Sequence, residues 1–401
     1  MMVTDYRAIR LASVNLGLLL FFALNPYPRW FLAQGVVQVF FFFTTLYAIV
    51  QGNYRLSQDK KKLFWAIIVY IVYFTLPVVH QFKSGYFLYY LVFLQILCFD
   101  NHVYLNGYLI LKRIIVIVCI ASLVVWVLHS IGFHLPYYEM KPEWRTENLK
   151  DNYHIYGLCI SLYRGANLIG GGLERICGVF AEPGHCGIYL GLMLAIEKFE
   201  FDSKENVLML IVGILTFSTA FYGILSLGLA YRLIGGSQKL ADVRNLMIIS
   251  LVVLPFVMMS NDFYDTAIGR VLNYQQSDNV TVVSMIDSRT SESTQKDFTR
   301  FAYGQKLLTG YGSDDKTEMI GTNWRGLVYR YGIIGVVIIA ILLLFLTYND
   351  SLKFQGLLVL IALLIISHRS YLMYAPGVYM MLFIANALRN EHVEVISEPE
   401  P

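Results

Sequence analysis

Read for polarity alone, the chain is a succession of apolar runs divided by short polar punctuation. A bilayer crossing needs roughly 20 apolar residues, with about 17 to 25 tolerated. Runs of that order fall near 9–25, 30–50, 63–80, 86–100, 111–131, 183–198, 206–218, 219–234, 245–260, 326–347, 354–368 and 370–388. The expected fold is therefore an all-α polytopic integral membrane protein with about 12 transmembrane helices and two large extracytoplasmic loops. The pattern is weakest at 86–100 and over the pair 206–218 and 219–234. That pair reads equally as one long kinked helix, which would invert everything downstream.

Charge sets the orientation. With the N-terminus inside, Arg7, Arg10, Arg55, Lys60, Lys61, Lys62, Lys112, Arg113, Lys198, Lys204, Arg232, Lys239, Arg244, Lys353 and Arg389 are cytoplasmic, while the short outer loops hold Arg29, Lys83 and Arg369. This asymmetry obeys the positive-inside rule and predicts two cytoplasmic termini. The chain then divides into helices one to five (1–131), a first large extracytoplasmic loop (132–182), helices six to nine (183–260), a second large loop (261–325), helices ten to twelve (326–388) and an acidic cytoplasmic tail (389–401). Loops this long are functional or disordered. Both contain tyrosine, tryptophan and aliphatic residues, so they are expected to fold. The second holds a helix-like stretch, Ser288 to Leu308, followed by the breaker Thr309-Gly310-Tyr311-Gly312.

Composition agrees. Hydrophobic residues make up 57% of the 401 and charged residues 15%, with a mean hydropathy of +0.55; a soluble domain carries about 25% charged residues. A net charge of +3 argues against a nucleic-acid partner. The 29 tyrosines and 26 phenylalanines suit interfacial belts. No cleavable signal peptide is expected, because the first apolar run lacks a small-residue cleavage site. The five cysteines form no CxxC, and Cys177 and Cys186 would pair only in an oxidising space. No metal and no cofactor is expected.

Three groups of polar residues stand at the outer ends of spans. In "RICGVFAEPGHCGIYLG" (Arg175 to Gly191) Pro183 is placed to start the sixth span, since proline is favoured at the first helical position and excludes its predecessor from the helix. Glu182 then sits at the cap, and the N–H groups of Gly184, His185 and Cys186 carry the positive end of the helix dipole, an anion site beside Arg175. A capping Glu182 and a snorkelling Arg175 explain the same residues. In "GTNWRGLVYRYGIIGVV" Thr322 or Asn323 caps the tenth span, Arg325 stands at its mouth and Arg330 lies more than a turn inside, where a charge costs at least about 2.5 kcal/mol. Headgroup contact for Arg325 and internal pairing for Arg330 are the plainer alternatives. Arg289 and Arg300, about three turns apart on one helix face, give the second loop a basic side; a solvated helix would carry the same residues. Arginines collected on one face suit bidentate contact with a phosphate-bearing ligand. His368 and Arg369, between the last two spans, add to that side, and a turn explains them equally well. His80, His129 and His134 read as interfacial.

"ERICGVFAEPGHCGIYLGLML" resembles the R-x-x-G-x-F-x-E/N-P segment of the O-antigen polymerase and ligase superfamily (Wzy-like proteins). "DSRTSESTQKDFTRFAYGQKLLTGYG" resembles that family's large-loop pattern. "GTNWRGLVYRYGIIGVVI" resembles its Asn-containing entry to the following span, with the glycine pair Gly332 and Gly335. The resemblance covers roughly residues 170–345; the first five spans match only in being hydrophobic.

The resemblance implies a glycosyltransferase of the bacterial cytoplasmic membrane acting at its outer leaflet on glycans carried by undecaprenyl diphosphate. A sugar hydroxyl of one unit attacks the reducing-end carbon of another, and the lipid diphosphate leaves. The product is a surface polysaccharide: O-antigen, capsule or exopolysaccharide. Donor, acceptor and the lipid bilayer are then the partners, with a chain-length regulator or a flippase as candidate protein partners. Arg175 and Arg289 match the arginines assigned to diphosphate or glycan handling. With Glu182, the first candidate for a base, they form the expected catalytic set. His185, Arg300, Asn323, Arg325 and Arg330 form the expected substrate-binding set. The ligase branch has His-Asn where this chain has Thr322-Asn323, which counts against a ligase. The remaining alternative is a flippase for the same lipid-linked sugar. It would place charges near the bilayer midplane and show inverted repeats, neither of which the sequence displays.

Overall fold

The computed structural model describes residues 6–56, 58–75, 84–133, 135–140, 152–163, 175–235, 298–311, 324–348, 351–369 and 376–394. They are mostly helical. Among the described residues four helices are long and apolar enough to cross a bilayer: Tyr6–Ala23, Gly35–Gly52, Asn101–His129 and Trp324–Leu346. Shorter apolar helices accompany them. The expected spans near 9–25, 30–50, 63–80, 86–100 and 111–131 appear as α1 (Tyr6–Ala23), α2 (Gln34–Gly52), α3 (Gln58–Thr75), α4 (Ser84–Ile96) and α5 (Asn101–Ser130). The span near 245–260 lies outside the described residues.

The chain forms two compact units, Met1–Lys112 with Arg289–Pro401, and Arg113–Ser288. In the first, α1 packs on α2, and α2 on α4. The α1–α2 seam carries a polar bond, the Asn15 amide donating to Thr45 Oγ1 at 2.8 Å. Such bonds hold helices together where lipid supplies no hydrophobic drive. The same unit holds α9 (Trp324–Leu346), α10 (Leu352–His368) and α11 (Pro376–Glu394), with α9 against α3 and α10. Of the lysine run read as cytoplasmic, Lys61 and Lys62 are exposed, but Lys60 is half-buried. Its Nζ donates to the Phe99 carbonyl and, at 3.2 Å, to the Tyr104 hydroxyl.

The second unit departs from the all-α expectation. The first large loop contains a three-stranded antiparallel sheet in the order β1-β2-β3, from β1 (Tyr138–Met140), β2 (Asn152–Tyr156) and β3 (Cys159–Tyr163). Tyr138 faces Ile155 and Tyr156 faces Cys159. A turn at Gly157, with φ of 66°, closes β2 onto β3. Aromatic and β-branched residues favour this pleated surface. His154 stacks on Tyr137 at 3.7 Å. His129, read as interfacial, is buried edge-on against Tyr156 at 4.9 Å.

Among the described residues this unit also holds the end of α5 and the helices α6 (Pro183–Ile196), α7 (Lys204–Leu215) and α8 (Thr219–Gly235), with α6 packed on α7 and α8. The pair 206–218 and 219–234 is therefore two helices, broken at Phe217 with φ of 47°.

Candidate functional site

Each half of the expected site is built locally. In the second unit Pro183 is the first residue of α6, and Glu182 precedes it in extended conformation. The Glu182 carbonyl accepts the N–H of His185 at 3.0 Å and of Cys186 at 3.2 Å. Its side chain makes no capping bond. The simplest alternative for Glu182, a carboxylate spent on the helix end, is thus not what this turn does.

Arg175 is placed by a contact no local pattern announces. Its Nε donates to the Thr216 carbonyl at 3.0 Å and one Nη to the Phe217 carbonyl at 2.9 Å. These carbonyls close α7, where unsatisfied backbone acceptors carry the negative end of the dipole. Two bonds from one planar fork fix the guanidinium plane. The Ile176 N–H adds a backbone bond to Leu215 at 3.2 Å. The same turn lies against α6, since a Cβ on Gly187 would meet Ser218 at 2.8 Å and Thr216 Oγ1 at 2.9 Å. The structure so brings Arg175 to the turn on which the first part of α6 packs. Arg175, Glu182 and His185 are all half-buried.

The sheet steadies the segment between them. The Ile160 N–H of β3 bonds the Gly178 carbonyl at 2.6 Å. The fully buried Tyr153 of β2 donates its hydroxyl to the Ala181 carbonyl, next to Glu182, at 2.8 Å. Removing that hydroxyl in Tyr153→Phe deletes one buried hydrogen bond, about 0.5–1.5 kcal/mol. The expected result is a drop of a few degrees in the unfolding midpoint of detergent-solubilised protein. An unchanged midpoint would show that the bond contributes nothing. Cys177 and Cys186, read as a conditional pair, are buried and not joined by a disulfide. Among the described residues no group of His, Cys, Asp and Glu is arranged to hold a metal ion.

The other half lies in the first unit. Arg289 and Asn323 lie outside the described residues, so their places in the expected sets are proposals only. Arg300 is exposed, within helix that the described residues show over 298–302. Arg325 lies over the rings of Phe298 at 5.5 Å and Trp324 at 5.6 Å. Arg330 is half-buried, just before a break in α9 at Gly332, where φ is 64° and ψ −178°. Only glycine occupies that region freely.

The loop fills this break. The Tyr311 N–H bonds the Tyr329 carbonyl at 2.8 Å, and the Ile334 N–H bonds the Leu308 carbonyl at 3.2 Å. Helix groups stranded by the break are met by loop backbone, as a polar backbone at membrane depth requires. Gly310, with φ of 76°, faces the Arg330 carbonyl so closely that a Cβ would collide with it. Gly310, within the breaker foreseen at residues 309–312, is thus also a docking point. The sheet, the Tyr153 bond and this docking were missed by sequence reasoning; Gly310 and Gly332 are the residues that could have hinted at the last.

No protein-family model, no curated protein and no solved structure matches the chain.

Proposed function

We propose that this protein is a multi-pass glycosyltransferase of the bacterial cytoplasmic membrane, with both termini cytoplasmic. It joins undecaprenyl-diphosphate-linked oligosaccharide units at the outer face into a surface polysaccharide. The observation that carries the reading is the oriented Arg175 guanidinium beside the turn that packs on α6, in the segment whose sequence resembles the Wzy-like family.

In the reaction, an acceptor hydroxyl oxygen forms a bond to the anomeric carbon of the donor. The bond from that carbon to the phosphate oxygen breaks, and its electron pair leaves with the lipid diphosphate. Negative charge grows at the bridging oxygen, where a preoriented cation stabilises it; of the α6 N–H groups expected to form an anion site, those of His185 and Cys186 are taken by the Glu182 carbonyl. The hydroxyl proton passes to a base, for which Glu182 is the first candidate.

One observation favours a second reading. A broken membrane helix such as α9 is a feature of transporters, whose unwound backbone coordinates substrate. Here loop backbone occupies the break, which weighs against a flippase. Thr322, at the position where ligases carry histidine, weighs against a ligase.

Deleting the gene in its host and resolving surface and lipid-linked glycans on a gel separates the readings. The expected result is collapse of the long ladder to single repeat units, restored by the wild-type gene. Full-length polymer persisting on its lipid carrier would mean a ligase. Single units confined to the cytoplasmic side would mean a flippase.

A further inference from the structure

The carbonyls of residues 213–217, at the end of α7, are each met by a donor. The Gly213 carbonyl accepts the Thr216 hydroxyl at 2.6 Å. The Ile214 carbonyl accepts the Phe217 N–H at 3.0 Å and the Tyr222 hydroxyl at 2.9 Å. The Leu215 carbonyl accepts the Ile176 N–H, and those of Thr216 and Phe217 accept the Arg175 guanidinium. A helix end leaves such acceptors over. Thr216, Phe217 and Ser218 are buried, so protein donors satisfy what water would satisfy on a surface.

The turn is also strained. Phe217 sits in the left-handed region, with φ of 47°, where a helix ordinarily ends on glycine. A bulky residue there is an outlier that persists only where its surroundings fix it, and such positions gather at functional sites. In this conformation two successive carbonyls serve one guanidinium. Three contacts fix the turn. The Ser218 hydroxyl accepts the Phe221 N–H at 3.4 Å at the start of α8. Gly187 of α6 leaves no room for a Cβ against Thr216 and Ser218. The Tyr222 hydroxyl reaches back from α8 to Ile214, so its bond spans Phe217 and ties α8 to the end of α7. Tyr222 also lies within electrostatic range of Arg175. Its side chain is half-buried.

We propose that Tyr222 is a positioning residue for Arg175: by bonding Ile214 it holds the Phe217 turn in the form that presents two carbonyls to the guanidinium. The proposal rests on the glycosyltransferase reading for the reaction that Arg175 serves, and it gives a role to a residue outside both expected sets. Tyr222 acts on turnover through Arg175, not through contact with substrate.

The test is Tyr222→Phe, which deletes the hydroxyl and keeps the ring, in full-length protein reconstituted in lipid. The first readout does not depend on activity. It is the rate at which phenylglyoxal, an arginine-selective dicarbonyl, modifies Arg175, resolved by peptide mass spectrometry. That rate is expected to rise about threefold or more as the turn loosens, the scale of one lost hydrogen bond. The second readout is polymerisation of lipid-linked repeat units extracted from the deletion host. Turnover per folded molecule, kcat, is expected to fall about three- to tenfold, again the range of one hydrogen bond, with a smaller change in KM. In an Arg175→Lys background the same substitution should cost less than about twofold, because an ammonium does not use the two-carbonyl geometry. Equal cost in the two backgrounds, an unchanged modification rate, an unchanged kcat, or a change in KM larger than that in kcat overturns the proposal and leaves Tyr222 as a structural bond between α7 and α8. Wild type that makes no polymer overturns the function proposed above instead. The modification rates then decide by themselves whether Tyr222 positions Arg175.

Discussion

Arg175→Ala, expressed in the deletion host, is expected to leave single repeat units where the wild-type gene restores a ladder. The loss should be about 10²–10³ in turnover, the usual cost of deleting one oriented donor from a developing negative charge. The same substitution also strips the buried Thr216 and Phe217 of the donors to their carbonyls. Each charge-assisted bond is worth about 1.5–3 kcal/mol, so a lower unfolding midpoint is expected too. The two effects separate when turnover is measured per folded molecule, below the variant's own midpoint. Normal turnover there would make Arg175 a structural cap of α7 and nothing more. Arg175→Lys sharpens the point: it keeps the charge, but an ammonium cannot reproduce the two-pronged fork. It should recover only part of the ladder, because orientation as well as charge is lost.

Gly332→Ala is expected to be the most destabilising single change in the first unit. The backbone there sits in a region essentially reserved for glycine, which costs about 1–3 kcal/mol for any other residue. A methyl group would also run into the Leu308 carbonyl and carbon, which are backbone and cannot swing away. Relieving that overlap requires undocking the loop, at a further cost of about 1–3 kcal/mol. Undocking abandons the Tyr311–Tyr329 and Ile334–Leu308 bonds together. Thermal unfolding of detergent-solubilised protein should show a fall of several degrees or loss of folded material. Gly356→Ala in α10 is the control. Nothing lies within 4 Å of its added Cβ, and alanine is favoured over glycine in a helix by up to about 1 kcal/mol. Equal midpoints for the two variants would refute the docking.

Much of the framework was legible. Pro183 marked the start of α6 because proline tolerates the first helical position and forbids its predecessor the helix. The helix-like stretch expected up to Leu308 is helical only to Ala302 among the described residues; it turns at Tyr303 and Gly304 and continues as a 3-10 helix over Gln305–Leu307 before the positive φ at Gly310. Runs of apolar residues located α1, α2, α9 and α10 to within about four residues, since hydrocarbon length sets helix length, whereas α5 begins at Asn101, well before the expected 111–131. The sheet was not legible. Its strands are three to five residues long, and in so short a segment alternation cannot be told from chance.

Sequence by itself thus determined what local chemistry controls: a mostly helical, membrane-type chain, the cap at Glu182 and Pro183, and arginines near helix ends. Tertiary structure alone decided where those arginines point. Arg175 found the carbonyls of Thr216 and Phe217, 41 and 42 residues away, and the break at Gly332 found a loop more than 20 residues upstream in Leu308 to Tyr311. The physical reason is the same in both. Backbone groups left over at a helix end or break must be satisfied, and local sequence shows that a partner is needed without showing which distant residue the fold will bring to it.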